Sequence, residues 1–112
     1  MENIDVIMDI IVHAGNARSK AMKAIKLATD KKLDEARELI EEAGKELVKA
    51  HQVQTNLIQE ETRGNKTEVS LFMVHAQDHF MNALTVRDLA MEIINLHEII
   101  QKNHCLVRGK EL

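Results

Sequence analysis

Val74-His75-Ala76-Gln77-Asp78-His79-Phe80 is the stretch of this sequence in which chemically capable side chains crowd together. His75 and His79 are four residues apart, so on a helix they stack on one face, with Asp78 beside them. Two histidines at this spacing are also the pattern of the zinc-protease helix. That motif needs a glutamate directly after the first histidine, and Ala76 stands there instead. A catalytic zinc also needs a third protein ligand, and Asp78 sits awkwardly between the two imidazoles. Zinc hydrolysis is therefore disfavoured. Two readings remain: ordinary histidines hydrogen-bonded to their neighbours, or a functional site. Two histidines, Asp78 and Asn82 on an otherwise apolar face each need a partner once buried, and spacing alone leaves both readings open. His13, His51, His97 and His104 are scattered and read as structural or solvated. Cys105, with Arg108 nearby, reads as incidental.

The elements that must carry this cluster are helices. The chain has no proline, four glycines and two phenylalanines as its entire aromatic set. Good helix formers such as Ala, Leu, Ile, Met, Glu and Lys dominate. The fold class is all-α. Polar stretches at Thr29-Asp30-Lys31-Lys32 and Thr62-Arg63-Gly64-Asn65-Lys66-Thr67 divide the sequence into helices over about 4–28, 32–61 and 67–103. Asp30 and either Asn65 or Thr67 are the candidate N-caps.

In the first helix Ile4, Ile7, Met8, Ile11, Gly15, Met22 and Ile25 follow helical spacing. The second repeats Leu33, Ala36, Ile40, Ala43, Leu47, Ala50 in steps of three and four, continuing to Val53 and Leu57. Gly15 and Gly44 lie inside these helices, where close helix approach and neutral drift are equally good explanations. The third helix has two apolar sides. Met73, Ala76, Phe80, Ala83, Met91 and Ile94 gather on one. Leu71, His75, Asp78, His79, Asn82, Val86, Leu89, Ile93 and Ile100 gather on the other. Packing against two neighbours satisfies one side only, so the second implies further copies of the chain. Short loops make the protomer an antiparallel, up-down-up three-helix bundle. Residues 1–103 form the single domain, and 104–112 leave the helical period as a tail expected to fray.

Composition excludes several function classes. Net charge is −3 with both signs mixed, which leaves no basic footprint for nucleic acid. The first residues, Met1-Glu2-Asn3-Ile4-Asp5, lack the basic region of a signal peptide, and no apolar run reaches the roughly 20 residues of a membrane span. One cysteine cannot form an internal disulfide. The expectation is a cytoplasmic protein with no direct membrane insertion.

The run from Val69 to Ala83, with its His-Ala-Gln-Asp-His core, resembles the signature of the lactose/cellobiose-type enzyme IIA of the bacterial sugar phosphotransferase system. Gly15-Asn-Ala-Arg-Ser and Ala50-His-Gln-Val-Gln-Thr-Asn-Leu-Ile agree with the same family, and the similarity runs in order to about Asn103. The tail has no counterpart, and His13 stands where a small polar residue is expected. The resemblance implies a homotrimer of three-helix protomers, a nine-helix assembly. It implies that His75 accepts a phosphoryl group from the phosphocarrier protein HPr. It further implies that the group passes to a cysteine of enzyme IIB, which phosphorylates a lactose-, cellobiose- or chitobiose-type sugar during uptake. Asp78 would meet its two symmetry copies on the threefold axis and share a divalent metal there, magnesium being the expected ion. Gln77 and His79 would neighbour the phosphoryl group.

The chemistry implied is coherent. A neutral imidazole with a pKa near 6.5 is nucleophilic without a separate base, and three converging carboxylates repel until a hard cation joins them. Two alternatives compete. A histidine phosphotransfer domain of a signalling relay normally carries Lys and Gly in the turn after its histidine, where this chain has Ala76 to His79. A non-catalytic oligomeric bundle would accept no phosphoryl group.

Overall fold

The computed structural model describes the backbone of residues 4–111 and the side chains of residues 4–104. Its helices are α1 (Ile4–Thr29), α2 (Leu33–Thr62) and α3 (Leu71–Glu111), an up-down-up bundle with no strand among the described residues. The bundle is 69 Å long and about 20 Å across. Helix α1 packs along both others, whereas α2 and α3 touch each other far less.

Alanine explains that intimacy. The buried face of α1 is Ile7, Ile10, Ala14, Ala17, Ala21, Ala24 and Ala28, and small side chains let two helix backbones approach closely on either side. The stripe expected from the large residues is rotated: Ile4, Met8 and Met22 are exposed, and Ile11 and Ile25 only half-buried. Helix α2 follows its expected seam, burying Ala36, Ile40, Ala43, Leu47 and Ala50. Helix α3 buries Met73, Ala76, Phe80, Ala83 and Ile94 of the side read as conventional, with Ala90 buried beside them and Met91 only half-buried. Two core clusters result, one around Ile10, Leu47 and Phe80, the other around Ile40 and Ile94.

Both loops begin with the same helix stop. At the end of α1, the Lys32 N–H donates to Leu27 O at 2.9 Å and the Lys31 N–H to Ala28 O at 3.0 Å. At the end of α2, the Asn65 N–H donates to Glu60 O at 2.9 Å and the Gly64 N–H to Glu61 O at 3.0 Å. Each closure needs a residue in the left-handed region, Gly64 at φ 96° and Lys31 at φ 64°. Glycine adopts this freely and lysine does not. Asn65 and then Arg63 also bind the Glu60 carboxylate and lower its pKa from the usual 4.5.

Helix starts differ from the expected caps. Asp30 instead closes the turn that follows α1, donating its N–H to Lys26 O, and Lys32, the residue before α2, gives that helix no side-chain cap. Asp34 and Glu35 in its first turn face the helix dipole instead. Helix α3 begins four residues later than expected, capped by Ser70, whose Oγ accepts the Met73 N–H at 3.1 Å. It also continues through the expected tail to Glu111, with Leu112 outside the described residues. No proline interrupts 104–111, so the backbone ladder simply runs on. The surroundings expected for Cys105 lie outside the described side chains.

Close approach explains one of the two interior glycines. A Cβ on Gly44 would lie 3.0 Å from Arg87 Nη2, so it is a side chain of α3, rather than a backbone, that needs the space. A Cβ on Gly15 would meet nothing within 4 Å.

His13 and Glu46 join α1 to α2 at 2.6 Å, with Lys20 3.9 Å from the same carboxylate. The hydrogen bond to His13 is the largest influence holding the Glu46 pKa below 4.5, ahead of the opposing effect of burial. A carboxylate with a depressed folded-state pKa contributes stability above its unfolded pKa and loses it as pH falls through the folded value. In urea melts between about pH 6 and pH 3, the wild-type chain should lose stability more steeply below pH 4.5 than Glu46→Gln. Parallel profiles would remove this pair from the acid response. Lys31→Gly should raise unfolding free energy by about 1 kcal/mol in the same assay at neutral pH, and a loss of stability would contradict the strain assigned to that turn.

Candidate functional site

His75 lies in the second turn of α3, and the roll of that helix decides where it points. With Met73, Ala76, Phe80 and Ala83 facing the core, an advance of about 100° per residue puts Asp78 nearly opposite the core and His75 on the outer flank. His79 falls closer to the core. Exposure follows this order: His75 and Asp78 are exposed, His79 half-buried.

The structure brings His75 and His79 together. Their rings lie edge to face, with centroids 5.1 Å apart and planes at 86°. Neither His75 nor Asp78 has a hydrogen-bond or ion-pair partner among the described residues of the single chain. The His75 ring is thus open to an incoming electrophile.

Gln77 is not grouped with them. Its amide turns to the opposite side of the helix, where Oε1 accepts a hydrogen bond from Gln54 Nε2 of α2 and Nε2 lies 3.9 Å from Met73 Sδ. Gln54 escaped the sequence reading, although a signal was present. It lies seven residues after Leu47 and three before Leu57, so a polar side chain occupies a position on the apolar seam of α2.

Other histidines are placed in supporting roles. His51 sets its ring edge-to-face against Phe80 at 6.2 Å, and His13 binds Glu46. No three His, Cys, Asp or Glu side chains gather to hold a metal among the described residues of one chain. Asp78 supplies a hard oxygen donor suited to a cation such as magnesium, but only a single one per chain. Among the described residues no helix is long and apolar enough to cross a membrane.

Around the histidines the surface is apolar. Leu71 is 85% exposed, and Val74, Met81 and Leu89 are also open to solvent, as are Leu96, Ile99 and Ile100 further along α3. Of the second side read from the sequence, Leu71, His75, Asp78, Asn82, Leu89 and Ile100 are left exposed by the single chain, while His79, Val86 and Ile93 are half-buried.

Residues 5–98 match the family described as "PTS system, Lactose/Cellobiose specific IIA subunit". A lichenan-specific phosphotransferase enzyme IIA component of Bacillus subtilis is 56% identical over 95 residues, covering 85% of this chain and 86% of the relative. The crystal structure of the cellobiose-specific enzyme IIA from Bacillus anthracis superposes with a TM-score of 0.88 at 43% identity, covering 91% of this chain and 94% of that one. The IIA(chitobiose) structure solved in complex with HPr, from Escherichia coli, superposes with a TM-score of 0.76 at 38% identity, covering 87% and 94%. A phosphotransferase component on a three-helix bundle with an open histidine on α3, the chain belongs to the lactose/cellobiose-specific IIA family of the sugar phosphotransferase system.

Proposed function

We propose that His75 is the phosphoryl-carrying residue of this IIA component. The observation that supports this most directly is an exposed imidazole, without a hydrogen-bond or ion-pair partner among the described residues, on the outer face of α3 and one helical turn from a second histidine. The phosphorylated histidine of HPr is the donor, a reading supported by the relative solved in complex with HPr. A ring nitrogen of neutral His75 attacks phosphorus in line, and its N–P bond forms as the donor's N–P bond breaks. The donor's protonated phosphoimidazole leaves as neutral imidazole, and His75 becomes the protonated phosphoimidazole in its place. No net proton is exchanged, so the protein's task is orientation and charge stabilisation. A cysteine thiolate of enzyme IIB then attacks the same phosphorus, its S–P bond forming as the His75 N–P bond breaks and His75 leaves as neutral imidazole.

His79, whose ring stands at right angles to that of His75, would donate a hydrogen bond to a phosphoryl oxygen. The sugar is a β-linked disaccharide of the lactose, cellobiose or chitobiose type, a reading supported by the relatives named for those three sugars. Carriage between two protein partners fits a cytoplasmic location.

Three copies assemble through the exposed side of α3, making the nine-helix trimer. Burying side chains such as Leu89 and Ile100 contributes about 1.5–3 kcal/mol each, which gives the assembly its driving force. Asp78 then meets its two copies, and a divalent cation, with magnesium the best match for oxygen ligands, balances the carboxylates.

Incubation with phosphoenolpyruvate, enzyme I and HPr should add one acid-labile phosphoryl group by intact mass, and His75→Ala should gain none. Equal labelling of His75→Ala would reject the assignment. Asp78→Leu should abolish metal binding and leave the trimer intact or tighter, since repulsion and metal are lost together. Sedimentation of that variant as monomers would refute the axial placement of Asp78.

A further inference from the structure

We infer that Gln54, on α2, is a positioning residue for His75. This rests on the phosphocarrier reading of His75 given above.

The turn that bears His75 is seated in the core by Met73 and Ala76, but its tie to α2 is slight. It follows a non-helical segment over 65–70, and α2 and α3 share fewer contacts than either has with α1. Three polar contacts brace it in sequence. Ser70 Oγ caps the Met73 N–H at 3.1 Å, Gln77 Nε2 lies 3.9 Å from Met73 Sδ, and Gln54 Nε2 donates to Gln77 Oε1. Met73 and Gln77 stand two residues before and two after His75, so both lie about 200° around the helix from it. The brace therefore grips the back of the turn whose front presents the imidazole.

Among these contacts only the Gln54–Gln77 hydrogen bond reaches from this turn to another helix. It is partly buried, and an amide there is costly unless its partner is kept. An aliphatic side chain would serve mere packing at position 54. Within the roll that the buried side chains set, the paired amides instead fix the height of this turn against α2. Both groups are neutral, so their influence on His75 is geometric. In-line phosphoryl transfer is sensitive to such geometry, because a displacement of about 1 Å can cost up to 100-fold in rate.

The test uses the full chain with the phosphoenolpyruvate, enzyme I and HPr donor system, read by rapid quench. Gln54→Met keeps length and removes the amide. Gln54→Glu keeps an acceptor that the Gln77 amide can satisfy by turning over. The rate constant at saturating phospho-HPr should fall about tenfold in Gln54→Met, with the half-saturating concentration of phospho-HPr unchanged. Gln54→Glu should recover to within about twofold of wild type. Equal rates in all three proteins, or equal losses in both variants, would overturn the positioning role while leaving His75 as carrier. Absence of any adduct on the wild-type chain would overturn the carrier reading and this one with it. If Gln54→Met does not fold, Gln54→Ala provides the same comparison.

Discussion

The burial of Phe80 is the constraint on which the reactive face depends. Phe80 is 1% exposed, enclosed by the cluster containing Ile10 and Leu47 and met edge-on by His51. Truncating such a side chain costs about 3–5 kcal/mol, so the roll it sets is not easily changed. A helix has a single roll. Once Met73, Ala76, Phe80 and Ala83 are inward, His75 and Asp78 must be outward, and His79 must straddle the boundary. The site is in this sense a by-product of where the core lies.

That arrangement suits a carrier better than an enclosed active site. A phosphohistidine that must be loaded by one protein and unloaded by another has to stay accessible to both. The exposed apolar side chains near His75, such as Leu71 and Val74, offer a surface for such exchanges, and those further along α3 one for other copies of the chain. Family membership supplies the phosphotransferase role, and the exposed imidazole supplies a group able to perform it. The bracing of the His75 turn from behind, through Gln54 and Gln77, leaves its front free of competing hydrogen bonds.

The legible parts of the sequence were those with strong periodicity. The seam of α2 and the core side of α3 were read nearly residue by residue, because large and small apolar residues alternate there at helical spacing. The face of α1 is harder to read, because its large residues, Ile and Met, point to one stripe while a run of alanines is what lets α1 lie close to two helices at once. The caps are hidden for a different reason. Asp30, Asn65 and Thr67 all have suitable side chains, and only the path of the loop selects Ser70. A lysine in the left-handed region at position 31 gives no sequence signal at all. The cluster of His75, Asp78 and His79 was visible from spacing. That Gln77 belongs to the opposite side became clear only with α2 in place.

Phosphorus–proton correlation NMR on the phosphorylated chain tests the central claim most directly, since it identifies the modified ring. The account predicts a single phosphoramidate resonance coupled to the ring protons of His75. Coupling to His79, or to His51 behind Phe80, would contradict it.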